Sequence, residues 1–181
     1  MVGRVFSEQL YQIRDIHIEV ESILQSLAAL HAENPCASCL RVCCKEVLCR
    51  ESVDSDFLRL VLGPQIGEYS VNDGWHVSGS GCRLGYGRPL ICYEYFCERF
   101  DTQDVKVTRQ LSRALKTVYA NVFAGQHMLV LEDINRISAN KLRIVQVRLE
   151  ALKDLANRAL RQAIKERLSQ QPGNGHTVTS Q

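Results

Sequence analysis

The sequence predicts a mainly α-helical fold in which long helices form an antiparallel bundle and an irregular, cysteine-rich region is inserted between them. Apolar residues recur every three to four positions over two long stretches near the chain ends and one stretch between them. All eight cysteines lie between residues 36 and 97, and residues 36–100 also hold seven of the eleven glycines. Regular helices are therefore expected on both sides of an irregular segment.

The first predicted helix covers residues 7–32. Ser7 suits the N-cap position, because its side-chain oxygen can accept a hydrogen bond from the first helical turn. Asn34 and Pro35 end the helix, because the residue before a proline is pushed out of helical geometry. The apolar face of this helix comprises Ile13, Ile16, Val20, Ile23, Leu27 and Leu30.

The cysteine-rich region has weaker local signals. A short helix is predicted at residues 54–62, with Asp54 as its cap. The turn residues at 72–74 and 78–81 flank Trp75, and they favour a small hairpin or an irregular loop there.

Two further helices follow. One begins near Thr102 and ends near Gly125, and the last runs from about Leu129 to Leu168. The apolar seams of the first and last helices suit an antiparallel pair covered by the middle helix, whereas a coiled-coil dimer is the alternative. Residues 1–169 are thus expected to form a single helical domain with the insertion at 36–100, and residues 170–181 a disordered tail. The seam of the last helix consists of Leu142, Val145, Leu149, Leu152, Ala156, Ala159 and Ala163.

The composition indicates a cytoplasmic protein without a membrane partner. Arg4 and Glu8 interrupt the apolar run that a signal peptide needs, and no run of 18 apolar residues is present. In a reducing compartment, cysteines bind metal more often than they form disulfides, although disulfides or catalytic thiols are the alternatives.

The cysteine spacing is typical of a metal site. Cys36 and Cys39 are separated by two residues, which lets both thiolates reach one zinc ion or one iron–sulfur cluster. The side chains of the adjacent residues Cys43 and Cys44 diverge, which indicates two metal positions or one multinuclear centre. Cys49 is the weakest candidate among the predicted ligands, which are Cys36, Cys39, Cys43, Cys44, Cys49, Cys82, Cys92 and Cys97.

The histidines add little to this prediction. His76 lies inside the cysteine-rich region and is an alternative ligand, but a lone histidine in a turn is more often exposed to solvent. His17, His31, His127 and His176 have no cysteine nearby in the sequence, so we assign them no role.

The cysteine motifs resemble those of the zinc- or iron-chelating cysteine-cluster proteins (YkgJ-like). That family carries C-x2-C-x2-C-C and, further on, C-x5-R-P-x2-C. The second motif matches in register through Cys82, Arg88, Pro89 and Cys92, whereas the first has one extra residue before Cys43.

The resemblance implies metal chelation by the six matching cysteines. It also draws attention to Arg88, whose guanidinium can donate to thiolates or cluster sulfurs and offset their negative charge. A solvated arginine in a surface turn is the alternative for Arg88.

We therefore expect a metal-binding protein that holds an iron–sulfur cluster or zinc in a structural or redox-responsive role. The adjacent pair Cys43-Cys44 slightly favours iron–sulfur. One alternative is a metal-dependent enzyme of methyltransferase type, because flagellin lysine methylases have a similar cysteine motif. Another is a nucleic-acid or protein adaptor that uses the basic last helix, although a solvated face is expected more often than a nucleic-acid surface. The basic residues of that helix are Lys141, Arg143, Arg148, Lys153, Arg158, Arg161, Lys165 and Arg167.

Overall fold

The structure, a computed structural model, describes residues 2–31, 46–77, 81–89, 92, 103–120, 134 and 137–170. Helices dominate this part of the chain, which confirms the mainly α-helical prediction. A 3₁₀ helix at Gly63–Glu68 and the antiparallel strands β1 (His76–Val77) and β2 (Gly81–Cys82) complete it. The α-helices are α1 (Val2–His31), α2 (Glu46–Asp54), α3 (Asp56–Leu62), α4 (Gln103–Ala120) and α5 (Ala139–Gln170).

The main hydrophobic core lies where α1, α4 and α5 pack together. Helix α5 packs along α1, and α4 contacts both of them. The predicted apolar faces of α1 and α5 are the ones that are buried, except that Leu30, Ala159 and Ala163 are only half-buried. On α4 the predicted face is buried at Leu111 and Val118, whereas Val107 is exposed. The buried seam of α5 consists of Leu142, Val145, Leu149, Leu152 and Ala156.

Helices α1 and α5 run parallel, so the antiparallel pairing that their seams predicted is wrong. Gln146 hydrogen-bonds with Gln12 near the beginning of both helices. Further along, Lys153 Nζ lies 3.1 Å from Glu19 Oε2. At the far end of α1, the Arg167 guanidinium donates to the carbonyl of Leu30. An apolar seam specifies which face of a helix is buried but not the direction in which the helix runs. The intervening sequence, residues 32–138, is long enough for α5 to begin beside the start of α1.

Serine caps set two helix starts that the sequence reading misplaced. Helix α3 begins at Asp56, because Ser55 Oγ accepts a hydrogen bond from the Leu58 amide at 3.2 Å, whereas the predicted cap Asp54 is the last residue of α2. Helix α5 begins at Ala139 and not near Leu129, since Ser138 Oγ accepts from the Lys141 amide at 3.4 Å. In both places a Ser side chain satisfies an amide that the helix itself leaves unpaired.

Other boundaries also differ from the prediction. Helix α1 already begins at Val2, so Ser7 lies inside it and is not its N-cap. Helix α2 was not predicted at all. The predicted tail at 170–181 starts one residue too early, because Gln170 is the last residue of α5. Residues 171–181 and the predicted end of α4 at Gly125 lie outside the described residues.

A second, smaller hydrophobic cluster lies beside the main core. It consists of Cys49 from α2, Leu62 from α3, and Trp75 and Leu84 from residues 70–84, which we call the hairpin segment because they include β1 and β2. We call this group the Trp75 cluster. Of the two structures predicted around Trp75, the hairpin is the one observed. Helix α3 joins the two clusters, because its other buried residues, Phe57, Leu58 and Val61, belong to the main core.

None of the described helices combines the length and the apolar character that crossing a lipid bilayer requires.

Candidate metal centre

Three of the eight predicted ligands belong to the described part of the chain. Cys49 lies on α2, Cys82 ends strand β2, and Cys92 follows the Arg88-Pro89 segment. The predictions for the other five concern positions outside the described residues, namely Cys36, Cys39, Cys43, Cys44 and Cys97.

Cys49 is buried against the hairpin segment. Its side chain is 5% exposed and lies directly on the backbone of Gly74. A Cβ atom at Gly74 would come within 2.9 Å of the Cys49 Cβ and 3.1 Å of its Sγ. Gly74 also has a φ of +59°, a conformation that residues with a Cβ rarely adopt. Glycine therefore allows both the turn and the close approach of the cysteine.

A short chain of hydrogen bonds fixes α2 on the hairpin segment. The indole Nε1 of Trp75 donates to Ser52 Oγ at 2.7 Å, and Ser52 Oγ donates to the carbonyl of Cys49 at 2.7 Å. Trp75 is 1% exposed and packs edge-on against Tyr69. The helical turn that carries Cys49 is thus held in one position relative to the hairpin.

Cys82 packs against the same cluster. It is half-buried, and the cluster that it contacts is the Trp75 cluster, to which Cys49 belongs. Cys49 comes from the first cysteine group of the sequence and Cys82 from the second. The fold therefore brings one cysteine of each group to the same cluster, although more than thirty residues separate the two in the sequence.

His76 lies opposite Cys82 on the hairpin, as its partner in the strand register. The imidazole is half-buried, so the expectation of an exposed histidine in a turn is wrong. Its Nε2 atom is buried and makes no hydrogen bond to the described residues.

Arg88 organises the loop between Cys82 and Cys92. Its guanidinium donates to the Leu84 carbonyl through Nε at 3.0 Å and through Nη2 at 2.8 Å. After Pro89, whose carbonyl accepts from the Cys92 amide at 2.9 Å, the chain turns toward Cys92. The guanidinium is thus used to shape the loop, and its predicted contact with sulfur stays a prediction.

A buried carboxylate on α1 anchors this loop. Glu21 is fully buried and accepts hydrogen bonds from the amides of Gly87 at 2.5 Å and Arg88 at 3.0 Å. Gly87 has a φ of +75°, and a Cβ there would lie 2.8 Å from Leu62 Cδ2. The Arg-Pro segment therefore docks on the bundle through its backbone.

Glu21 belongs to a polar group inside the main core. His17 Nε2 lies 3.4 Å from Glu21 Oε2, and His17 Nδ1 lies 2.7 Å from the Tyr119 hydroxyl. Burial, and to a smaller extent the charge of Glu21, raise the pKa of Tyr119 well above its ordinary value, so the phenol stays neutral.

The sequence reading missed this group and gave His17 no role. A signal was available, since His17 and Glu21 are polar residues four apart on the face of α1 that is otherwise apolar.

A second buried carboxylate lies on α2, two residues after Cys49. Glu51 is 6% exposed, and its Oε1 makes no hydrogen bond to the described residues. Burial raises its pKa from 4.5 to about 7, and the charge of Lys116 on α4 opposes this shift in part. The carboxyl group is thus about half protonated near neutral pH.

No three His, Cys, Asp or Glu side chains meet in a metal-binding arrangement within the described ranges. Comparisons of the chain with family models, with curated proteins and with solved structures gave no match. The case for a metal therefore depends on the cysteine pattern and on the placement of Cys49, His76 and Cys82.

Proposed function

We propose that this protein binds a metal through its cysteine cluster, either iron in an iron–sulfur cluster or zinc, in a structural or redox-responsive role. The observation that carries the proposal is the meeting of Cys49 and Cys82 at the Trp75 cluster. A metal shared by both cysteine groups requires a thiolate from each group to lie in the same place, and this cluster brings one cysteine of each group together.

The surroundings of Cys82 and Cys92 support the same proposal. The loop between them is held at both sides, by Glu21 through the Gly87 and Arg88 amides and by the Arg88 guanidinium on the Leu84 carbonyl. Ligands that are held in place before the metal arrives bind it more tightly, because ordering them during binding costs free energy. A loop fixed in this way suits a pair of ligands.

Iron–sulfur remains the slightly favoured form. Adjacent cysteines such as Cys43 and Cys44 are difficult to place in two separate tetrahedral zinc sites, whereas a multinuclear centre can accept both sulfurs. The guanidinium of Arg88 would offset the charge of several thiolates near such a centre.

Metal analysis of protein purified without oxygen tests the proposal. We expect bound iron with acid-labile sulfide and visible absorbance that dithionite bleaches, or else stoichiometric zinc in a colourless protein. Protein that contains neither metal, and that takes up neither on reconstitution of the reduced chain, would contradict metal binding.

A pair of neighbouring substitutions locates the centre. Cys82→Ser should lower the metal content, because serine is a poor ligand for iron and zinc. Arg83→Lys is the matched control, since Arg83 is exposed and adjoins Cys82 on the hairpin. Equal metal content in both variants would show that Cys82 is not a ligand.

The adaptor alternative receives little support from α5. Two of its basic residues contact α1, where Lys153 pairs with Glu19 and Arg167 donates to the Leu30 carbonyl. Six others are exposed, which fits a solvated helix face as well as a binding surface: Lys141, Arg143, Arg148, Arg158, Arg161 and Lys165.

A further inference from the structure

We propose that His76 is a metal ligand that shares one metal position with Cys82. The position would take a divalent ion of the zinc class through a mixed set of thiolate and imidazole ligands. This inference rests on the proposed function and specifies one of its binding positions.

The hairpin register places the two side chains together. His76 pairs with Cys82 across the two strands. In the neighbouring cross-strand pair, Trp75 and Arg83, the Arg83 amide donates a hydrogen bond to the Trp75 carbonyl at 2.8 Å. A bond at that flanking position makes His76 and Cys82 a non-hydrogen-bonded pair, the type in which opposed side chains come closest. Both side chains project from the same face, with Cβ atoms about 4.5–5.5 Å apart.

This spacing suits two ligands of one ion. Zinc binds sulfur at about 2.3 Å and imidazole nitrogen at about 2.0–2.1 Å, so the two donor atoms of a tetrahedral site lie roughly 3.5 Å apart. Side chains that start from Cβ atoms at cross-strand distance can converge to that separation without a change in the backbone. The hairpin can thus supply two ligands to one metal ion.

One ring nitrogen of the imidazole is open to a further bond. The Nε2 atom of His76 is buried and has no hydrogen-bond partner among the described residues, and leaving a buried polar atom unsatisfied is costly. Coordination of a metal would satisfy that nitrogen.

The surrounding structure holds His76 in place. The His76 amide donates to the carbonyl of Asp73 at 3.1 Å, and Ser70 and Gly74 form a bridge that closes the turn before it. Trp75, the preceding residue, is locked in the core through Ser52.

The ligand set decides the metal class. Imidazole is a common zinc ligand beside cysteine, whereas iron–sulfur centres are usually held by cysteine alone, with imidazole replacing it in cases such as the Rieske type. A zinc-class position at His76 is compatible with the second position that Cys43 and Cys44 indicate.

Cobalt substitution tests the proposal in the full-length protein. The reduced apoprotein would be titrated with Co²⁺ and then with competing Zn²⁺. We expect the wild type to show the intense visible bands of tetrahedral cobalt with sulfur and nitrogen ligands, and X-ray absorption to show imidazole scattering. His76→Gln should weaken Zn²⁺ binding by about tenfold or more and should change the cobalt spectrum.

A ligand exchange separates coordination from a structural role. His76→Cys should restore tight binding and shift the cobalt spectrum toward an all-thiolate site, because a thiolate can replace the imidazole as a donor. Val77→Thr, the next residue of the same strand, should leave both affinity and spectrum unchanged.

The two proposals fail in different ways. If the wild type binds Co²⁺ or Zn²⁺ and His76→Gln keeps the same affinity and spectrum, His76 is not a ligand and metal binding still stands. If the wild type binds neither ion and contains no iron, both proposals are overturned.

Discussion

At the scale of single residues, the buried polar groups of α1 explain how the Arg88 loop is joined to the bundle. A carboxylate fully inside the core is costly unless hydrogen bonds compensate its lost hydration. Glu21 receives two backbone amides from the loop and has His17 beside it. The free-energy cost of burying the Glu21 carboxylate is therefore lower when the Arg88 loop is docked. Docking of that loop and packing of α1 into the core should be coupled.

Replacing this carboxylate measures the coupling. Glu21→Gln keeps the size of the side chain but removes the charge and presents an amide NH₂ group where the Gly87 and Arg88 amides need an acceptor. We expect the free energy of unfolding in urea to fall by about 2–3 kcal/mol. Glu19→Gln on the same helix removes an exposed ion pair with Lys153 and should cost less than about 1 kcal/mol. Similar losses in both variants would contradict an anchoring role for Glu21.

Glu51 makes stability depend on pH near neutrality. Its folded pKa of about 7 lies above the ordinary value of 4.5, so the folded state holds the proton more tightly than the unfolded chain. The stabilisation from this proton is complete below pH 4.5 and is lost as the pH rises through 7.

Urea unfolding at about pH 5 and about pH 8 checks this sign. The wild type should lose about 2 kcal/mol more than Glu51→Gln between the two pH values, because the glutamine cannot ionise. Parallel pH profiles for the two proteins would show that Glu51 titrates normally.

At the scale of elements, the contact between α2 and the hairpin segment depends on the absence of a side chain at Gly74. Gly74 allows Cys49 to lie on the hairpin backbone, and it also adopts a positive φ. Three glycines of this region separate the two effects. Gly63 has a positive φ of +53° with open space around it, and Gly85 has neither constraint.

Alanine substitution at these glycines should therefore give a graded series. We expect Gly85→Ala to change the free energy of unfolding little, Gly63→Ala to lower it by about 1–2 kcal/mol through backbone strain, and Gly74→Ala to lower it further. If Gly74→Ala costs no more than Gly63→Ala, the approach of Cys49 does not constrain the hairpin.

At the scale of the whole molecule, the sequence predicted which residues are buried better than how the helices are arranged. The spacing of Leu142, Val145 and Leu149 specified the buried face of α5, because helical periodicity depends only on neighbours along one element. The parallel direction of α1 and α5 depends on contacts between residues far apart in sequence, such as Lys153 with Glu19.

The same distinction applies to the candidate site. Cysteine spacing predicted Cys82 as a ligand, and the resemblance to the cysteine-cluster proteins drew attention to Arg88, since both belong to a local motif. The partners that the fold gives them, His76 across the hairpin and Glu21 on α1, lie outside that motif. The cross-strand register and the docking of the loop depend on contacts between residues that are apart in the sequence, and a single sequence does not reveal such contacts.

Removal of the proposed metal should loosen the molecule in two stages, because its buried hydrophobic residues form two separate clusters. Trp75 is the only tryptophan, and it lies in the cluster that contains Cys49 and against which Cys82 packs. Most helical residues of the described chain belong instead to α1, α4 and α5. Tryptophan fluorescence therefore reports on the cysteine region, and far-ultraviolet circular dichroism reports on the bundle.

We expect Cys92→Ser, or a strong chelator, to release metal and shift the Trp75 emission to longer wavelength while the helical signal stays nearly constant. Cys39→Ser should act in the same way if that residue is a ligand. The bundle should persist because its main core, as far as the structure describes it, is built from apolar side chains and includes no cysteine. A simultaneous loss of both signals would mean that the metal holds the whole fold together, since α3 carries residues of both clusters and can transmit the disruption.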